Sequence, residues 1–165
     1  DRIAETLSRC FSEVLLVTRE PQRYGDRRWI TVQDLLSARS PLTGIHAGLS
    51  TMHADYAFCT SCDVPLLKSE VVQVLTDALE PECDVVVPAD NTHFQPLCAV
   101  YSKRCIPLIE EILTGGHFKV DLLFASVRLK KMPYRSFLEA DPELDSFFNV
   151  NTPEDLRQAE LRLRP

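Results

Sequence analysis

The sequence predicts an α/β fold, a mostly parallel sheet with helices on both faces, and three observations predict it. Strand-like and helix-like segments alternate along almost the whole chain. The apolar run Tyr56-Ala-Phe-Cys-Thr-Ser61 is followed by Asp63 and broken at Pro65, the pattern of a buried parallel strand that ends in a turn. A chain of 165 residues with 45% hydrophobic content is long enough for one domain with a full core and needs no disulfide or metal staple. The expectation is one domain over residues 1–165.

Each element has its own signal. Ile3, Leu7, Cys10 and Phe11 recur at helical spacing, so residues 2–12 form an amphipathic helix. Glu13-Val-Leu-Leu-Val-Thr18 is a strand, and the loop after it is punctuated by Pro21 and Gly25. Trp29-Ile-Thr-Val32 is a short strand ending near Asp34. Ser40-Pro41 turns into a helix with Ile45, Leu49 and Met52 on its apolar face, and Ser69 opens another with Val71, Val72, Leu75 and Leu79. Residues 83–88 and 97–101 are strands separated by the polar loop Asp90-Asn-Thr-His93. The helix over 106–113 stops at Gly115-Gly116, where glycine supplies the left-handed cap. Lys119 opens a short helix through Leu122, Leu123 and Phe124, and Arg128-Leu-Lys-Lys-Met132 is a charged edge strand whose lysines guard against pairing. Thr152 caps the last helix, with Pro153 at its first position and Asp155 near its third.

Charge narrows the function. A formal net charge of -6 argues against general binding to nucleic acid or an anionic membrane, which needs a basic field over much of the surface. No apolar run approaches the roughly 18 to 20 residues of a bilayer span, and Asp1-Arg-Ile-Ala-Glu5 carries no signal-peptide pattern, so the expected compartment is the cytoplasm. The six cysteines look like small hydrophobes rather than a disulfide framework. Cys59 and Cys62 form a CxxC without a second ligand pair, and on a strand they face opposite ways.

The chemistry-bearing residues gather where strands end. Ligands of open α/β sheets bind outside the carboxyl ends of the strands, so Asp63 is a candidate metal ligand and Asp34 a candidate pocket residue. Turn or helix capping is the alternative for Asp63, and an ordinary surface position for Asp34. Gly44 and Gly48 lie one turn apart on a helix, where small residues admit either a flat ligand or tight helix-to-sheet packing. His46 between them is a phosphate contact or a packed or solvated histidine. Lys119 in a first helical turn opposes the helix dipole and is better explained by an anion. Asn149 and Asn151, at alternate spacing before the last helix, face one side and serve either a metal or phosphate site or turn chemistry.

Four segments in order, Ser40-Pro-Leu-Thr-Gly-Ile-His-Ala-Gly-Leu49, Ser61-Cys-Asp-Val-Pro-Leu-Leu67, Gln95-Pro-Leu-Cys-Ala-Val-Tyr101 and Asn149-Val-Asn-Thr-Pro-Glu-Asp155, resemble the MobA family of molybdenum cofactor guanylyltransferases. The resemblance runs over nearly the whole chain. It implies a three-layer Rossmann-like nucleotidyltransferase fold and transfer of GMP from GTP to the terminal phosphate of molybdopterin, with Mg2+ as cofactor and molybdoenzymes or their chaperones as partners. It also implies that Asp63 binds Mg2+ and the nucleotide phosphates and is the catalytic carboxylate, that Asp34 lines the nucleotide pocket, and that Gly44 belongs to the GPLxG turn. Lys119 falls where the family has an arginine near the pterin substrate, and Asn149 and Asn151 fall beside the metal and that substrate. Two positions depart from the pattern: Ser40 stands for the first glycine of GPLxG, and Thr18 follows its strand where an asparagine is common. The family's LAGGxSxRMGxxK loop has no counterpart in these residues, so the expectation is a truncated or partly observed form with exposed sheet edges, the alternative being a degenerate homologue. The alternatives are a cytidylyl or other NTP transferase acting on a phosphorylated acceptor, and a non-catalytic cofactor-binding domain.

Overall fold

The computed structural model describes residues 2–24, 29–34 and 40–163; Asp1 and Gly25, named above, lie outside the described residues. In chain order the elements are α1 (Arg2–Cys10), β1 (Leu15–Thr18), β2 (Ile30–Gln33), α2 (Pro41–Thr51), β3 (Tyr56–Thr60), α3 (Ser69–Asp77), β4 (Val85–Ala89), β5 (Cys98–Ser102), α4 (Ile106–Thr114), α5 (Val120–Phe124), β6 (Leu129–Pro133) and α6 (Pro153–Arg162). Short 3-10 turns lie at Pro21–Tyr24, Lys103–Cys105, Tyr134–Phe137 and Asp145–Phe147.

Strands β1 and β2 pair in parallel, and β3, β5, β4 and β6 form a second sheet in that order. Within it β3, β4 and β6 share a direction, and β5 alone runs antiparallel between β3 and β4. Period-two alternation separates two cores. Val85, Val87, Ala99 and Tyr101 pack on one face against Leu42, Ile45 and Leu49 of α2, Ile109 of α4 and Leu123 of α5. Val86, Cys98 and Val100 pack on the other against Val71, Val72 and Leu75 of α3 and against Phe137. Helices therefore cover both faces, and the three layers expected from the sequence are present. Cutting a fully buried leucine such as Leu49 or Leu75 to alanine would cost about 2–5 kcal/mol.

The run over 56–61 differs from its expectation. As β3 it is half-buried and its one ladder among the described residues is antiparallel, to β5. The cause lies in the loop after β4. Asp90 Oδ1 accepts from the backbone amides of Thr92 and His93 at 2.7 Å each, a tight polar turn that sends the chain straight back as β5. Antiparallel neighbours need only such a turn, whereas parallel ones need a crossover. Other expectations hold in detail: Gly116, with φ 74°, supplies the left-handed cap after α4, and Thr152 and Asp155 form a reciprocal capping box on α6. On the edge strand β6 the lysines have partners, Lys130 on Glu80 and Lys131 over the ring of Phe94 at 5.0 Å. Among the described residues no helix is long and apolar enough to cross a membrane.

Candidate active site

The first part of the site is the cleft between β1, β2 and the start of α2. Thr18 closes β1 and Asp34 follows β2, and the Asp34 amide donates to the Thr18 carbonyl at 3.0 Å. Ser40 is the N-cap of α2, accepting from the Leu42 amide at 3.1 Å, and Pro41 takes the first helical position, where its missing N–H costs nothing. Thr18, Arg19, Glu20, Asp34, Ser40, Pro41 and Thr43 line a cleft of about 550 Å³. The Asp34 side chain is only 10% exposed; Oδ2 accepts from the Thr43 hydroxyl at 2.8 Å and lies 3.6 Å from Arg19 Nε. Asp34 is thus a held carboxylate rather than an ordinary surface one. A Cβ placed on Gly44 would meet nothing within 4 Å, whereas one on Gly48 would touch Val17 of β1 at 3.6 Å. Of the two glycines, Gly48 serves helix-to-sheet packing and Gly44 borders open space.

The segment before α5 docks beside this cleft. The Ser40 hydroxyl donates to the Phe118 carbonyl at 2.7 Å, which carries Lys119 to the amino end of α2. Lys119 is the N-cap of α5, exposed and without an ion pair among the described residues. His46 is elsewhere engaged: its Nε2 lies 3.0 Å from Glu110 Oε1 and joins α2 to α4.

A second candidate group surrounds Asp63, which follows β3 in the other sheet. Its Oδ1 accepts from the Ser61 hydroxyl, and Oδ2 has no partner among the described residues. The Val150 amide donates to the Asp63 carbonyl at 2.7 Å, so the segment carrying Asn149 and Asn151 lies against the Asp63 turn. Both asparagines are exposed, with no side-chain hydrogen bond among the described residues. The Asn151 amide donates to Asp155 Oδ2 at 3.0 Å, which fixes its backbone on the capping box. Hydrogen bonds from Thr152, then from the backbone amides of Asn151 and Thr152, hold the Asp155 carboxyl below its usual range.

The CxxC pair divides. Cys59 packs against the first core, where burial pushes its thiol up to about 12, and Cys62 is exposed. Among the described residues no group of three or more His, Cys, Asp or Glu is gathered as a metal cage.

Sequence reasoning missed the supporting residues: Thr43 and Arg19 on Asp34, Ser61 on Asp63, and the buried Asp141 and Ser146 with the partly exposed Lys68. Thr43 and Ser61 had a signal, a hydroxyl within the motifs themselves. Asp141 had none, since an Asp-Pro in a polar stretch reads as a surface turn.

Comparison with known proteins gives the family and the fold. Residues 1–126 match the family described as MobA-like NTP transferase domain. A protein of Desulfosudis oleivorans named molybdenum cofactor guanylyltransferase is 35% identical over 164 residues, 99% of this chain and 81% of its own length. A protein of Pelotomaculum thermopropionicum named probable molybdenum cofactor guanylyltransferase is 38% identical, covering 96% of this chain and 77% of its own. The crystal structure of molybdopterin-guanine dinucleotide biosynthesis protein A from Archaeoglobus fulgidus superposes with a TM-score of 0.82 at 26% identity, covering 97% of this chain and 84% of that one. A 4-diphosphocytidyl-2C-methyl-D-erythritol synthase structure from Anaerococcus prevotii, 14% identical with a TM-score of 0.69, covers 98% of this chain and 87% of that one and shares the fold. The chain belongs to the MobA-like NTP transferase family and is a nucleotidyltransferase of Rossmann-like fold.

Proposed function

We propose that this chain, as one nucleotidyltransferase domain in the cytoplasm, transfers GMP from GTP to the terminal phosphate of molybdopterin or its molybdenum-loaded form and releases pyrophosphate, with Mg2+ required. The names of the relatives support the substrates. The observation that carries the site is the Val150 amide on the Asp63 carbonyl, which puts a carboxylate and two exposed amide side chains on adjoining segments. Mg2+ is ordinarily held by one or two carboxylates together with substrate phosphates. Asp63, with one oxygen unpartnered, and the carbonyl oxygens of Asn149 and Asn151 fit that pattern. When bound, Mg2+ supplies neutralisation of charge on the reacting phosphates and on the departing pyrophosphate.

The acceptor phosphate is anionic at neutral pH, so the reaction needs alignment and neutralisation rather than a general base. Asp63 would hold Mg2+ and keep the reacting phosphates beside it. Asn149 and Asn151 orient the acceptor, and Lys119 attracts its phosphate. Thr18, Asp34 and Gly44 border the nucleoside. The six free cysteines suit a reducing compartment. Molybdoenzymes or their chaperones would then take up the product. Titrating GTP and CTP into the protein with and without Mg2+ tests the reading: Mg2+-dependent, GTP-selective binding supports it, and a preference for CTP replaces it with cytidylyl transfer.

A further inference from the structure

We infer that Lys68, Asp141 and Ser146 are positioning residues, a clamp with a buried carboxylate and hydroxyl and a partly exposed lysine that fixes the segment carrying Asn149 and Asn151 against the Asp63 turn. The inference rests on the site read above. The observations are independent of it. Lys68 is the N-cap of α3, yet it caps nothing with its side chain; its Nζ donates to Asp141 Oδ1 at 2.6 Å and its backbone amide to the Ser146 hydroxyl at 3.0 Å. The Ser146 amide donates to Asp141 Oδ2 at 2.7 Å. Asp141 and Ser146 are both fully buried. Asp141 thus spends one oxygen on the end of the Asp63 turn and the other on the chain that leads to Asn149.

The clamp and the Val150 bond form two ties between the same two stretches. At one end Val150 meets Asp63, and at the other Ser146 and Asp141 meet Lys68. Apolar packing fills the space between, with Val64 and Leu67 in the same core as Phe137, Leu144 and Phe147. The chain submits to unusual backbone there: Leu144 sits at φ 54°, a region that leucine enters only when its surroundings impose it, and its amide donates to the Asp141 carbonyl at 3.0 Å. The Asp141 carboxylate is buried while the Lys68 side chain is 37% exposed, so the pair is weak evidence for stability in itself, and fixing register is the better-attested use of such a contact. A shift of about 1 Å between carboxylate and amide groups is enough to spoil alignment of reacting phosphates.

The test reads hydrogen exchange of the Val150 amide, which needs neither substrate nor metal, in the wild type, in Asp141→Asn and in Ser146→Ala, the second guarding against a first that does not fold. The clamp predicts at least a tenfold loss of protection at Val150 while the amides of β5 keep theirs. Unchanged protection at Val150, or an equal loss at Val150 and in β5, overturns it. In the transfer assay the same variants should need about tenfold more Mg2+ for half-maximal rate with little change in the KM for GTP. Loosening of Val150 with a normal Mg2+ requirement overturns the positioning role. If the wild type itself transfers no nucleotide, the reading of the site fails while the exchange result on the clamp stands.

Discussion

The Thr43 hydroxyl donates to Asp34 Oδ2 at 2.8 Å and so ties the first turn of α2 to the end of β2. That bond sets the floor of the cleft in which we place the nucleoside. Thr43→Val keeps the shape and removes the donor, leaving a nearly buried carboxylate with one partner fewer. The expected cost is about 1–3 kcal/mol of stability, read in denaturant unfolding, together with weaker GTP binding.

Gly44 separates packing from ligand approach. Its position in α2 is open to a Cβ, so Gly44→Ala should leave the stability unchanged or raise it by up to about 1 kcal/mol, the helix-propensity difference. GTP binding should nevertheless weaken, because the added methyl occupies space that the nucleotide approaches. Calorimetric titration beside a thermal melt reads both, and undiminished affinity would place the nucleotide elsewhere.

Lys119 has no partner of its own among the described residues. Lys119→Ala should therefore leave the fold intact and raise the apparent KM for the pterin substrate about tenfold, the scale of a lost hydrogen bond to a charged group. The KM for GTP should move much less. The reverse ordering in steady-state kinetics would count against the assignment.

Asp84 contributes to acid stability away from the candidate site. Burial works to raise its carboxyl, but hydrogen bonds from Arg128 and Arg104 outweigh this and lower it from 3.8 to about 2. A carboxyl lowered in the folded state contributes stability that is complete above 3.8 and is lost as pH falls through about 2. The difference in melting temperature between wild type and Asp84→Asn should therefore be constant near neutrality and close between about pH 4 and pH 2.

Local signals made most of the architecture legible. Helical spacing over Ile45 and Leu49, glycine after α4, and the Thr152–Asp155 cap are each decided within a few residues and stand where expected, while Met52 is the extended residue that closes α2. The neighbour of β3 was not legible, because an apolar run is equally compatible with parallel and antiparallel partners and a remote turn at Asp90 decided it. At the candidate site, Asp34, Asp63, Asn149 and Asn151 were visible as polar groups at element ends. Their supports were not. Asp141 meets Lys68 only through tertiary packing, and no spacing in the sequence joins them.

The central claim is that Asp63 holds the metal and phosphates for guanylyl transfer. The most direct measurement is Mg2+-dependent incorporation of GMP from α-labelled GTP into molybdopterin by wild type and by Asp63→Ala, each shown to be folded by circular dichroism. The account predicts transfer by the wild type and a loss of about 10³-fold or more in the variant. Normal turnover by a folded Asp63→Ala protein would contradict it.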